Sequence, residues 1–276
     1  MQRVLIIGHE AATNDISKSP HLHTFTVEIA DGDADALQHL RHRSFDVVLT
    51  HPLSTVKEDL ALVSEMRSIR PGLKMIILAP EATPEDVIEV LRARVFACFS
   101  SPFNVEEVAL MIARALKADS WRDCIQVLAA EKNWISLRVN CQLITADRLL
   151  RFMTEFRSDL VDAERASLLT AFREMLINAM EHGAGFDPEK VIDVAAVRTE
   201  RAIVFHFRDP GTGFSRENIR HAAFNNPPDN PLAHLESREA QGLRPGGFGI
   251  LVAQQLVNEL VFNELGNEVL LIKHTA

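Results

Sequence analysis

FREMLINAMEHG, residues 172–183, reads as one amphipathic helix with a polar line along it. Phe172, Met175, Leu176, Ala179 and Met180 recur at the spacing that buries one side of a helix. Glu174, Asn178 and His182 follow one another at intervals of four, which places them in a single stripe on the same cylinder. An acid and an amide kept in line on so apolar a helix point to chemistry. His182 reads instead as a cap at the helix C-terminus, with Gly183 as the residue that ends it.

Two glycine-containing turns follow downstream. RDPGTGF (208–214) is an Asp-x-Gly-x-Gly turn directly after a strand, and RPGGFGILVAQQLV (244–257) is a glycine-rich turn running into a helix. Either alone is common; the helix and both turns in this order make a strong signal. A helix start preceded by glycines is an anion cradle, because exposed amides and a bare backbone admit a phosphate. Asp209 can accept a hydrogen bond from an exocyclic amine such as that of adenine, while Gly211 and Gly213 leave room for the base. Asn178 offers a neutral oxygen to a Mg²⁺ ion held mainly by phosphates and water. Glu174 can polarise a hydroxyl attacking a terminal phosphate. Arg244 either clamps a phosphate or rims the loop. The stretch 215–243, with NNPPDNP inside it, is long for a compact domain and is either a lid over the nucleotide or simply a disordered loop, with its position favouring the lid. No GxxxxGK[ST] is present, which removes the P-loop reading.

Composition bounds what surrounds this site. A chain of 276 residues with 47% hydrophobic content predicts two packed domains. The net charge of −9 and pI near 5.7 argue against a nucleic-acid or anionic-membrane surface. No apolar run approaches the roughly 20 residues of a membrane span, and the start MQRVLIIGHEAAT lacks signal-peptide features. Cys98, Cys124 and Cys141 have no CxxC spacing, which suits reduced thiols and a cytoplasmic setting.

The first half alternates strands and helices. Strands are expected at 3–8, 23–30, 45–50, 74–79 and 95–100, with helices at 34–43, 58–70, 84–94 and 104–118, so a doubly wound parallel α/β sheet follows. Residues 119–133 read as helical. Beyond them come a strand at 134–139, helices near 146–157 and over 164–183, strands at 191–198 and 202–209, a helix at 246–261, and a last strand at 268–274. This is an α+β sandwich. The domains are therefore expected at 1–117 and 134–276, joined by a helical linker over 118–133.

The first half resembles the response-regulator receiver domain. The resemblance places that family's acidic metal ligands at Gly8 and His9, keeping only Glu10, and its phosphorylated aspartate at His51. The family's Thr/Ser position is Ala79 and its lysine is Ser101. Aspartyl phosphorylation needs a carboxylate nucleophile, carboxylates for Mg²⁺ and a cation for the new charge. Glycine, histidine, alanine and serine at those places supply none, so the half is expected to be a pseudo-receiver kept for docking or dimerisation. His9 and His51 could bind a metal or sense pH; two ordinary loop histidines is the favoured reading.

Residues 134–276 resemble the GHKL ATPase superfamily, and NAMEHG with GGFGI looks most like its anti-sigma-factor serine kinases. The resemblance implies Glu174 as base, Asn178 as Mg²⁺ ligand, Asp209 as adenine reader, and Gly246, Gly247 and Gly249 as the phosphate loop. A sensor histidine kinase would also need a phosphoacceptor histidine, yet none occurs between His51 and His182. The expected function is an ATP-dependent serine/threonine kinase of the anti-sigma type, acting on a small antagonist domain and binding a sigma factor in a partner-switching pathway. An ATP-binding module that sequesters its partner without phosphotransfer is the alternative, and a homodimer is left open.

Overall fold

The computed structural model describes residues 2–118, 124–156, 160–213 and 248–275. The chain divides into two compact units, Met1–Asp123 with Arg151–Arg157, and Cys124–Leu150 with Ser158–Ala276.

The first unit is a parallel sheet of five strands: β1 (Arg3–Ile7), β2 (Thr26–Ala30), β3 (Val47–Leu49), β4 (Lys74–Ala79) and β5 (Ala97–Ser100). Their order is β2-β1-β3-β4-β5, every pair parallel. That order is the doubly wound arrangement of receivers, with a crevice at the strands' C-terminal ends where the order reverses. Val4–Ile7, Val47–Leu49 and Lys74–Ala79 are buried without interruption, as strands covered on both faces must be. The helices are α1 (Ala11–Ser17), α2 (Asp33–His42), α3 (Val56–Ile69), α4 (Pro84–Arg92) and α5 (Val105–Lys117). Their starts follow the sequence chemistry: Thr55 with Glu58 and Thr83 with Asp86 form capping boxes, and the Asn104 side chain accepts from the amides of Glu106 and Glu107. Lys74 is 8% exposed, and its ammonium donates to the carbonyls of Ala115 and Ala118, a buried cation at the negative end of α5. The short helix α1 was not among the expected elements.

The second unit is a six-stranded antiparallel sheet: β6 (Ile125–Glu131), β7 (Trp134–Asn140), β8 (Val191–Arg198), β9 (Ala202–Arg208), β10 (Glu259–Phe262) and β11 (Glu268–His274). Its order is β10-β11-β9-β8-β7-β6. The helices are α6 (Leu143–Phe156), whose residues from Arg151 on group with the first unit, α7 (Asp162–Asn178) and α8 (Gly249–Leu256). Burial alternates along the central strands, so one face packs and the other is open. On the packed face, the Phe172 ring of α7 lies 4.8 Å from Phe205 and 4.9 Å from Phe207 of β9. Edge-to-face pairs of this kind fix how the helix sits on the sheet.

Two expectations are corrected, and each concerns an edge of this sheet. The helix expected over 119–133 is, in its described part, strand β6. Glu131 pairs with Trp134 across a two-residue turn of Lys132 and Asn133, so hairpin pairing overrides the helix propensity of Leu128-Ala129-Ala130. The helix expected over 246–261 ends at Leu256, and Glu259–Phe262 forms β10. Asn258 makes the change of course: its amide donates to the Ile272 carbonyl (3.0 Å) and its side chain accepts from the His274 amide (2.9 Å). The chain is thereby fastened to β11 before another helical turn can form.

Candidate functional site

Helix α7 sets out the site. Its buried side comprises Leu168, Ala171, Phe172, Met175, Leu176 and Ile177, leaving Glu174 and Asn178 half-buried on the flank. The glycine that begins α8 comes against that flank. A Cβ on Gly249 would lie 2.7 Å from Glu174 Oε2, and 3.3 and 3.5 Å from Asn178 Nδ2 and Oδ1. Only a residue without a side chain lets the first turn of α8 approach so closely, and its N-terminal end carries the positive pole of the helix. Arg173 Nη1 stands 3.6 Å from Glu174 Oε1, an exposed contact of small energetic weight.

Past Asn178 the helix widens. Ala179–Gly183 form a π turn, with the Ala184 amide reaching back to the Ala179 carbonyl at 3.1 Å. This corrects the expected ending. Gly183 is not a left-handed cap; the left-handed residues are Gly185 (φ 68°) and Phe186 (φ 52°). Widening also takes His182 off the four-residue interval on which the stripe rested, and it lies exposed.

Gly183 has another role. A Cβ there would fall 2.2 Å from Asp209 Cγ and 2.3 Å from its Oδ1, so the aspartate carboxyl occupies the space a side chain would need. Asp209 Oδ1 accepts from the Gly211 amide at 2.8 Å. Burial raises the Asp209 pKa from its ordinary value, while the Gly211 hydrogen bond opposes that rise. Among the described residues no other hydrogen bond reaches this carboxyl, which leaves an oriented acceptor at the end of β9.

The β10–β11 turn holds this acceptor in place. The Asp209 amide donates to the Asn267 carbonyl (3.0 Å), and Asn263 Oδ1 accepts from the amides of Gly266, Asn267 and Glu268. Gly213 (φ 76°) passes so near that turn that a Cβ would overlap the Leu265 carbonyl oxygen at 1.8 Å. Gly183, Asn263 and Asn267 were not read as site residues from the sequence. The turn chemistry of NELGN (263–267) was the available signal for the two asparagines.

The structure thus brings Glu174, Asn178 and Gly249 together, and Asp209, Gly211 and Gly183 together, with both groups on α7 and the turn that continues it. Arg244, Gly246, Gly247 and the expected lid at 215–243 lie outside the described residues. The donor set suits an adenine nucleotide with Mg²⁺: an acceptor beside glycines, a neutral amide oxygen, a helix start, and a carboxylate one turn from the amide.

The crevice of the first unit differs. Gly8 (φ 96°) is pressed by two side chains, since a Cβ would meet Glu10 Oε2 at 2.3 Å and His51 Cδ2 at 2.5 Å. His51 Nδ1 accepts from the Leu53 amide at 3.1 Å, so the proton sits on Nε2 and is donated to Glu10 Oε1 at 2.7 Å. His9 pairs instead with Asp31 at 2.6 Å. Among the described residues no three His, Cys, Asp or Glu side chains are grouped to hold a metal.

Residues 140–273 match the model of the histidine kinase-like ATPase domain. Solved structures similar to the chain include a CheY-like receiver domain protein from Methanospirillum hungatei JF-1, at 24% identity over 42% of this chain and 94% of that one (TM-score 0.35). A response regulator from Thermotoga maritima is 18% identical over 42% and 98% (TM-score 0.37). The receiver domain of an HD domain-containing protein from Pseudomonas fluorescens Pf-5 is 18% identical over 42% and 94% (TM-score 0.37). Comparison with curated proteins gave no match. Among the described residues no helix is long and apolar enough to cross a membrane.

Proposed function

We propose that residues 134–276 bind ATP with Mg²⁺ and transfer its terminal phosphate to a serine or threonine of a partner protein, as an anti-sigma type kinase in a partner-switching pathway. The observation that carries this reading is the convergence of Glu174 and Asn178 on Gly249. Asp209 would receive the adenine amine, the start of α8 would face the phosphates, and Asn178 would contribute an oxygen to Mg²⁺. The ion offsets phosphate charge when bound. Glu174 would take the proton of the attacking hydroxyl as that oxygen bonds the terminal phosphorus and ADP departs.

The receiver-like half would take no phosphate and serve as a docking or regulatory module. Its crevice supports this: the position of the receivers' acceptor is His51, whose Nε2 proton is already committed to Glu10. The test incubates the full chain with γ-labelled ATP and co-purified partners, then locates the labelled residue, alongside calorimetric titration with Mg·ADP. Label on a partner serine or threonine supports the kinase. Nucleotide binding and partner capture without transfer would assign the sequestering module instead, and no nucleotide heat at all would end both readings.

A further inference from the structure

In the first unit, Ser54 makes two contacts that its single proton cannot serve. Its Oγ lies 2.7 Å from the His51 carbonyl oxygen and 2.7 Å from Asp59 Oδ1. Both neighbours are acceptors when Asp59 is ionised, and a hydroxyl has one hydrogen to give. Thr50 cannot supply the missing proton. Its hydroxyl accepts from the Leu78 amide at 3.1 Å and already donates to Asp59 Oδ2 at 2.7 Å. A proton on Asp59 Oδ1 resolves the count. The acid then donates to Ser54, Ser54 donates to the His51 carbonyl, and each short contact holds a hydrogen.

The surroundings favour the neutral acid. Burial raises the Asp59 pKa from 3.8 to about 6, against the opposing pull of the Thr50 and Ser54 hydroxyls. The charges that bear on it are Asp33 of α2 and Glu58 of its own helix, both negative and both resisting ionisation. From β5 it faces the Cys98 thiol, which burial keeps neutral. Among the described residues no cation pairs with Asp59.

From this proton count we infer that Asp59 is a proton-operated latch on the loop between β3 and α3. As the acid, it donates to Ser54 and so leaves the Ser54 proton for the His51 carbonyl. Ionised, it gives its proton to water and accepts from Ser54 instead, and the His51 carbonyl keeps only the Ser54 amide at 3.2 Å. A group that holds its proton more tightly when folded stabilises the fold below its folded-state pKa, so the loop is fastened in acid and loosened as pH rises. This loop carries Leu53, which is 68% exposed, and His51, whose ring fills the space over Gly8. The protonation of one buried acid thereby sets how firmly that surface of the first unit is held. The latch is independent of the nucleotide reading.

The test is an NMR titration of the full chain, labelled with ¹³C at the aspartate carboxyls and with ¹⁵N, from about pH 4.5 to about pH 8. Asp59 Cγ is expected to titrate with a midpoint of about 6, and the Leu53 and Ser54 amides should shift with the same midpoint. Exchange protection of those amides should fall by about three- to ten-fold across the transition, the worth of one hydrogen bond. Asp59→Asn keeps a donor for Ser54 and an acceptor for Thr50, so its loop should stay fastened at every pH. Ser54→Ala should leave Asp59 titrating while the loop amides no longer follow it. Far-UV circular dichroism checks that each variant is folded, and either variant alone decides the matter. An Asp59 carboxyl ionised over the whole range overturns the proposal. So does a loop response that persists in folded Asp59→Asn, which would belong to the His51 ring, or loop amides that still track Asp59 in Ser54→Ala.

Discussion

The two units each press a polar side chain onto a glycine, Gly8 just past a strand and Gly183 at the end of a helix, and they do opposite things with it. In the first unit, the space over Gly8 is filled by His51 and by Glu10, whose Oε1 accepts from His51. In the second, the space over Gly183 is filled by Asp209, whose described hydrogen bond is to the next turn's own Gly211 amide. An imidazole with both nitrogens engaged, one by the Leu53 amide and one by Glu10, has little left for a ligand. An acceptor oriented by a backbone amide, beside glycines and a helix start, is prepared for one. The same steric device thus marks a site spent internally and a site kept available.

The largest expected effect lies in the available site. Glu174→Gln keeps the size of the side chain but cannot take a proton, so transfer to a partner should fall by about 10²–10⁴ while Mg·ADP affinity changes only a few-fold. Partner labelling at the wild-type rate would remove Glu174 from the chemistry.

Gly183→Ala should come next. The new methyl needs the volume held by the Asp209 carboxyl, so Asp209 must swing away, at a stability cost of about 1–3 kcal/mol. Calorimetry should show adenine nucleotide binding weakened by about ten-fold or more, the loss of a hydrogen bond to a charged group. Asp209→Asn should show the same preference, sparing guanine nucleotides. Unchanged Mg·ADP binding by a folded Gly183→Ala protein would contradict the seating role.

In the first unit the sharper test is a pH profile. Asp59 is 2% exposed and accepts from Thr50 and Ser54 at 2.7 Å each, yet burial raises its pKa from 3.8 to about 6. The folded state therefore holds this proton more tightly than the unfolded chain. Stability from this group should decline as pH rises from about 4 through about 6, by up to about 3 kcal/mol. Hydrogen exchange of the β3 and α3 amides should report the decline, and Asp59→Asn should flatten it. A wild-type profile flat across that window would refute the assignment.

The smallest effect belongs to the closed pair. Glu10→Gln should cost about 1 kcal/mol or less, because both side chains are partly exposed. Acetyl phosphate should leave no acyl phosphate on residues 1–117. A labile label there would mean that the crevice is not closed after all.

The sequence was most legible where burial dictates pattern. The runs at β1, β3 and β4 are apolar because both faces are covered, and the helices between them announce themselves through Thr55, Thr83 and Asn104. Glu174, Asn178 and Asp209 stood out because acids and amides are costly beside so many apolar neighbours, and the structure brings the first two against Gly249. The edge strands of the second sheet were not. β6 contains Leu128-Ala129-Ala130, and β10 follows α8 after two residues, so hairpin pairing with the next strand, rather than local propensity, decided both. Gly183 was misread for a similar reason. Its need arises from Asp209, twenty-six positions on, and nothing local distinguishes a close approach from a helix cap.

The widened turn after Asn178 has a bearing on how this segment can vary between genes. A π turn closes over one residue more than an α turn, so losing one residue from 179–182 would restore an ordinary turn and leave Gly183 near its present direction under Asp209. Gaining one there would instead turn Gly183 by about 100° and take it off Asp209, while Glu174 and Asn178 stayed where they are. Exchange of the exposed His182 for another polar residue would leave both groups in register. Among natural versions of this chain, substitutions at the solvent side of AMEH and single losses there should be tolerated, and insertions should not.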